Sequence, residues 1–198
     1  DQADSTSYVF RLNENFTAYI FISVIVALFL GLTVAAEEII RDRKILKREK
    51  FLNLSKGSYL FSKIFIMFAV SAIQILSFVL VGNTILGIQG MYLEYWIILF
   101  SAACFANMLG LNISSTFDSA VTIYILIPFL VIPQLMLSGA IVKFEKLNPT
   151  ITVQDKVPFA GEIMVSKWSF EALAVKQFKD NEFNKNFFYI DKDIKTTS

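Results

Sequence analysis

Residues 37–50 read EEIIRDRKILKREK, ten charged side chains in fourteen positions, and they stand directly between two stretches in which charge is all but absent. On the N-terminal side, the 21 residues 16–36 contain no Asp, Glu, Lys or Arg. At 1.5 Å rise per residue they make roughly 31 Å of helix, the thickness of a bilayer core. On the C-terminal side, residues 64–93, 95–117 and 119–142 are equally free of charge. The pattern predicts an all-α, polytopic membrane protein. Four transmembrane helices are expected over about 16–36, 59–81, 95–117 and 119–142, with a cytoplasmic amphipathic connecting helix over 37–56. An external lead-in over 1–15 and a helical external loop region over 143–198 complete the organisation.

The charge bias orients the chain. Eight basic residues fall between positions 37 and 63, whereas residues 82–94 have none and residues 1–15 have only Arg11. Lys and Arg concentrate in short cytoplasmic loops, so the charged stretch is expected inside and both of the others outside. Everything from Lys143 onward is then external. That segment carries nine lysines, but it is long and also holds eight acidic residues, so it orients the chain weakly. Within the charged stretch Ile39, Ile40, Leu46, Phe51 and Leu54 occupy roughly 140° of a helical wheel. This predicts a helix lying at the cytoplasmic surface, with Glu37 paired to Arg41. Gly57 is expected to close that helix and Ser58 to cap the next.

Composition narrows the function classes. Hydrophobic residues make up 55% of the chain against 18% charged, a net charge of +1 points to no acidic partner, and in the connection four acids offset six bases, which argues against nucleic-acid binding. Cys104 is the single cysteine, so no intrachain disulfide forms. There is no histidine, which removes every Ser-His-Asp or Cys-His nucleophile set. Gly82 and Gly87 have the spacing of a phosphate loop, but Ile88 stands where the lysine must be. No acidic residue lies inside a span, which disfavours a proton-driven carrier and a metal site. The chain opens at Asp1 on a polar run and reads as a segment of a longer protein.

Arg48-Glu49 followed by Tyr59 and Lys63 at the entrance to a span resembles the first cytoplasmic connection of type-G ATP-binding-cassette (ABC) exporters, which have ABC-2 type membrane domains. IPFLVIPQLMLSGAIV (127–142) resembles the fifth helix of that family, and WSFEALAVKQFKDNEF (168–183) resembles part of its large external loop. The likeness covers nearly the whole chain in one order, corresponding to helices two to five of six. It departs from eukaryotic members in having no cysteine in the external loop.

What the resemblance implies is a permease domain that forms the substrate pathway, works as a dimer with a second copy, and couples to a nucleotide-binding ATPase domain. This segment itself binds no cofactor; ATP and Mg belong to that partner. Arg41, Lys44, Lys47, Arg48 and Glu49 are the implied ATPase-coupling residues. Ser23, Ala27 and Leu30 on the first span, with Ile125, Phe129, Ile132 and Leu135 on the last, are the implied pathway wall. Ala140 and Ile141 are the implied gate. The wall is apolar, so the cargo is expected to be partly apolar, and the location the cell (inner or plasma) membrane. A non-transporting anchor or scaffold subunit is the alternative.

Several features read as structural. Ala102, Ala106, Gly110 and Ser114 recur every four residues, a close-packing stripe. Asn107, Asn112 and Gln74 need partners in hydrocarbon and are expected to bond neighbouring helices. Pro128 and Pro133 each remove a helix hydrogen bond. Residues 161–178 predict an interfacial or re-entrant helix, and not a crossing one, whose apolar side holds Met164, Trp168, Ala172 and Val175, followed by an aromatic tail with Phe183, Phe187, Phe188 and Tyr189.

Overall fold

A computed structural model describes residues 14–49, 55–88, 90–136, 138 and 159–180. Among them every element is a helix: α1 Glu14–Ala36, α2 Glu38–Glu49, α3 Lys56–Leu86, α4 Tyr92–Thr116, α5 Ala120–Met136, α6 Phe159–Ile163 and α7 Val165–Asp180. Three helices are long and apolar enough to cross a membrane: α1, which runs on past a one-residue break at Glu37 into α2, together with α3 and α4. The shorter apolar α5, 17 residues, continues through Pro128 and Pro133. This is an all-helical polytopic membrane protein.

The centre of the bundle is the α1–α4 contact. Ala102, Ala106, Gly110 and Ser114 are all buried, and the stripe meets its counterpart on α1. A Cβ on Gly31 would lie 2.6 Å from Ala103 O and 2.8 Å from Ala106 Cβ. A Cβ on Gly110 would lie 2.8 Å from Ala35 Cβ and 3.0 Å from Leu32 O. Two glycines from opposite helices thus let the backbones approach to contact, which supplies dispersion energy where no hydrophobic effect drives helices together. Around this seam Leu28, Leu32, Ile75, Tyr95, Leu99 and Ile123 are fully buried. α3 packs on α4, α5 on α1, and α7 on α1 and α4.

Contacts between helices sort into two ends. At one, α2 meets the C-terminal turn of α4 and the first turns of α3. At the other, Tyr19 of α1 donates to Asn83 of α3, and Tyr95 of α4 donates to Gln177 of α7. α1 and α4 therefore run one way, and α3 the other.

Two expectations at the start of α3 are corrected. Ser55, not Ser58, is the N-cap: its side chain accepts from the Ser58 backbone N–H. Gly57 lies inside the first helical turn, where an unmatched N–H costs nothing extra, rather than in a left-handed cap. The left-handed glycine is Gly87 at φ 67°, which closes α3 while Ile88 N–H donates to Asn83 O at 2.9 Å. The 31 residues of α3 extend roughly 46 Å, well beyond a bilayer core of about 30 Å.

Candidate functional site

α2 is short, charged and without apolar surface enough to hold itself, so its position depends on what satisfies its ends and its acids. Ser114 Oγ of α4 accepts from Ile39 N at 3.1 Å and Ile40 N at 3.3 Å. These are the second and third N–H groups of α2, the ones an N-cap side chain ordinarily takes, so the cap comes from another helix. Reciprocally, Arg43 of α2 donates to Ser115 O and Phe117 O, each at 2.9 Å, and pairs with Asp118. The end carbonyls of α4 are thereby filled from α2. Ser114 had looked like the last step of a packing stripe; nothing in its spacing distinguished capping from packing.

On the adjacent side Lys63 Nζ of α3 lies 2.6 Å from Glu38 Oε1 and 2.7 Å from Asp42 Oδ2, and Tyr59 OH donates to Asp42 at 3.0 Å. The charge-assisted hydrogen bond from Lys63 holds the Asp42 carboxyl below its usual range. One turn forward on α2 matches one turn back on α3. α2 therefore runs antiparallel to the start of α3. The expected Glu37–Arg41 pair is replaced by Arg41–Glu38 at 2.8 Å. Ile39 is buried and Ile40 and Leu46 half-buried, as an amphipathic face requires, while Phe51 and Leu54 lie outside the described residues.

Glu38 and Asp42 are turned into the bundle, at 16% and 18% side-chain exposure, and the outward side is left to the bases. Of the implied coupling residues, Arg41, Lys44, Lys47 and Arg48 are exposed on that side, and Glu49 ends the helix. Lys44, Lys47 and Arg48 are thus left outward, while Arg41 also reaches Glu38 and Arg43 turns to the end of α4.

The implied pathway residues divide. Ser23 and Ala27 are buried, Ser23 Oγ donating to Tyr19 O, and Leu30 is half-buried against the core. Ile125, Phe129 and Ile132 form an outward stripe on α5 at 70%, 73% and 51% exposure, with Leu135 half-buried at its edge. The structure thus brings the α5 residues together on a surface that no described element covers, and keeps Ser23 and Ala27 away from it. Gly139, Ala140 and Ile141, the segments 1–13 and 143–158, and the tail aromatics lie outside the described residues.

At the opposite end, α7 buries Ser166, Ser169, Leu173 and Gln177, and Trp168, Ala172 and Val175 face outward. Most of the apolar side expected for this helix is thus turned away from the bundle, with Met164 half-buried. The buried polar groups have partners: Ser166 Oγ donates to Gln134 O at 2.7 Å, and Gln177 Oε1 accepts from Tyr95 at 2.8 Å. Of the intramembrane amides, Asn107 donates to Ser71 of α3 at 2.8 Å as expected. Asn112 bonds its own helix, to Met108 O, and Gln74 Oε1 has no protein partner. Gly82 packs under Tyr19 and Gly87 closes a helix, so their spacing serves packing and capping and not a phosphate loop.

The family described as ABC-2 type transporter matches residues 2–178. No curated protein and no solved structure matches the chain.

Proposed function

The chain belongs to the ABC-2 type transporter family and is a permease component of an ABC transporter, and from that premise we propose that it works as an exporter in the cell (inner or plasma) membrane, coupled to a nucleotide-binding domain through α2. One observation carries the coupling: α2 is fixed to α4 by exchanged caps and to α3 by the Lys63–Glu38–Asp42 network. A force on its tip reaches two membrane helices without slack. Lys47, Arg48 and Glu49 at that tip meet the ATPase domain, which holds ATP and Mg, with Arg41 and Lys44 one turn nearer the bilayer. Two copies enclose the pathway, for which the uncovered stripe Ile125, Phe129 and Ile132, edged by Leu135, offers an apolar wall to a partly apolar cargo. Leu30 borders that wall from α1. The burial of Ser23 and Ala27 makes them supports of it and not its surface. Ala140 and Ile141 form the gate that closes the route on the external side.

The test is Lys63→Met in the transporter reassembled with its ATPase. It removes the ion pair of Asp42, leaves Glu38 with Arg41 alone, and weakens α2–α3 docking by about 1.5–3 kcal/mol, less what solvent screens. Transport per ATP hydrolysed should fall several-fold while the ATPase stays bound, and Lys63→Arg should restore most of it. Equal coupling in Lys63→Met at normal expression would reduce the chain to an anchor.

A further inference from the structure

The outward side of α2 is basic and yet it also carries Ile45, 53% exposed, beside Arg41. Of the acids of the connection, Glu38 and Asp42 are turned onto Lys63, with Glu38 also reached by Arg41. Arg41 keeps 69% side-chain exposure despite its pair with Glu38, and Lys44 is exposed three residues on. The antiparallel register fixes their depth. Asp42 lies opposite Tyr59 and Lys63, so Arg41 and Lys44 are level with Tyr59, Leu60 and Phe61. The charge-free part of α3 from Ile64 to Leu86 spans roughly 35 Å and fills the bilayer core. Arg41 and Lys44 therefore stand about one turn beyond the core, in the headgroup layer, where Phe61 is still 76% exposed on α3. An isoleucine beside a cation is badly placed in water and well placed at the boundary of headgroups and acyl chains.

We propose that Arg41, Lys44 and Ile45 form a binding surface for the anionic headgroups of cytoplasmic-leaflet phospholipids, the cations holding the phosphate and Ile45 the upper acyl chain. The surface rests on the cytoplasmic placement of α2 adopted above, but not on the ATPase contact, which lies a turn farther out at Lys47 and Arg48. Its consequence is that the leaflet's charge sets how firmly α2 is held to the membrane while the ATPase pulls on its tip.

The whole transporter with its ATPase would be reconstituted in phosphatidylcholine vesicles containing phosphatidylglycerol, re-extracted, and the retained lipids counted by native mass spectrometry. Each basic side chain at an anionic surface is worth roughly a fivefold preference. The unaltered protein should retain phosphatidylglycerol over phosphatidylcholine by about that factor or more, Lys44→Gln should lose most of it, and Lys44→Arg should keep it. Arg48→Gln should leave the enrichment in place while weakening ATPase association in lipid-free detergent. No preference in the unaltered protein, or an undiminished one in Lys44→Gln, overturns the proposal and leaves a solvated face. A Lys44→Gln protein that instead fails to bind the ATPase in lipid-free detergent assigns the residue to that partner and also overturns it. Failure of Arg48→Gln to affect ATPase association counts against the coupling reading alone.

Discussion

Gly31 and Gly57 are both glycines in helices, yet a methyl group meets opposite surroundings at the two positions. At Gly31 the added carbon would be 2.6 Å from a backbone oxygen that cannot swing aside, so Gly31→Ala must push α1 from α4. It should cost about 1–3 kcal/mol, read as a lower melting temperature in detergent. At Gly57 the nearest atom is Ser55 Oγ at 4.0 Å, and the residue is helical. Gly57→Ala should be neutral or stabilising by up to about 1 kcal/mol. A left-handed cap at Gly57 would give a loss instead, so the same melting experiment checks the corrected helix start. The stripe ending at Gly110 and Ser114 was legible from its four-residue period. That α1 supplies the opposing surface was not, because a row of small residues states that something comes close without stating what.

α2 shows where element-scale reading succeeds and stops. Its existence, its start to within one residue and its buried Ile39 follow from charge and apolar periodicity, but not its end, since the helix expected to run to 56 is described only to Glu49 and Lys56 already opens α3. Which way the acids point does not, because their counter-charge Lys63 lies on another helix, and a wheel drawn for one helix holds no information about the next. That counter-charge gives a pH dependence. Asp42 is depressed in the folded protein by the hydrogen bond from Lys63, so the stability it contributes is fully present above the ordinary carboxylate pKa of about 4 and is lost as pH falls through the depressed value. The melting-temperature gap between the unaltered protein and Asp42→Asn should therefore persist at neutral pH and close toward zero in acid below about pH 4. A gap that stayed constant into that acid range would mean the carboxylate is not held by Lys63.

For the whole molecule, hydrophobicity alone cannot separate a surface facing lipid from one facing another copy, since acyl chains are as apolar as leucine. α3 exposes Phe65 and Ile66, and α5 exposes Ile125 and Phe129, to similar extents. The family match and the dimer reading divide them. In a Cys104→Ala background, Phe129→Cys should form a disulfide-linked dimer on mild oxidation in native membranes and Ile66→Cys should not. Equal cross-linking, or none at either, would return the α5 stripe to the lipid. The end at α7 was the least legible part. The sequence marks an apolar side at Trp168, Ala172 and Val175 but not which way it faces, and α7 turns Ser166 and Gln177 inward, where the Gln134 carbonyl and the Tyr95 hydroxyl bond them.

The exchange of caps between α2 and α4 also fixes an order of events during synthesis. Ile39 and Ile40 emerge from the ribosome 75 and 74 residues before Ser114, the hydroxyl that satisfies them. Until α4 has entered the membrane, α2 has free N–H groups at its start, Arg43 has neither Asp118 nor the two carbonyls, and Gly31 faces no alanines. The nascent chain must therefore hold two inserted helices with an unfinished loop between them, and arrival of the α4 terminus completes the loop and the helix seam in one step. A chain arrested before residue 114 would hold α2 by its α3 contacts alone.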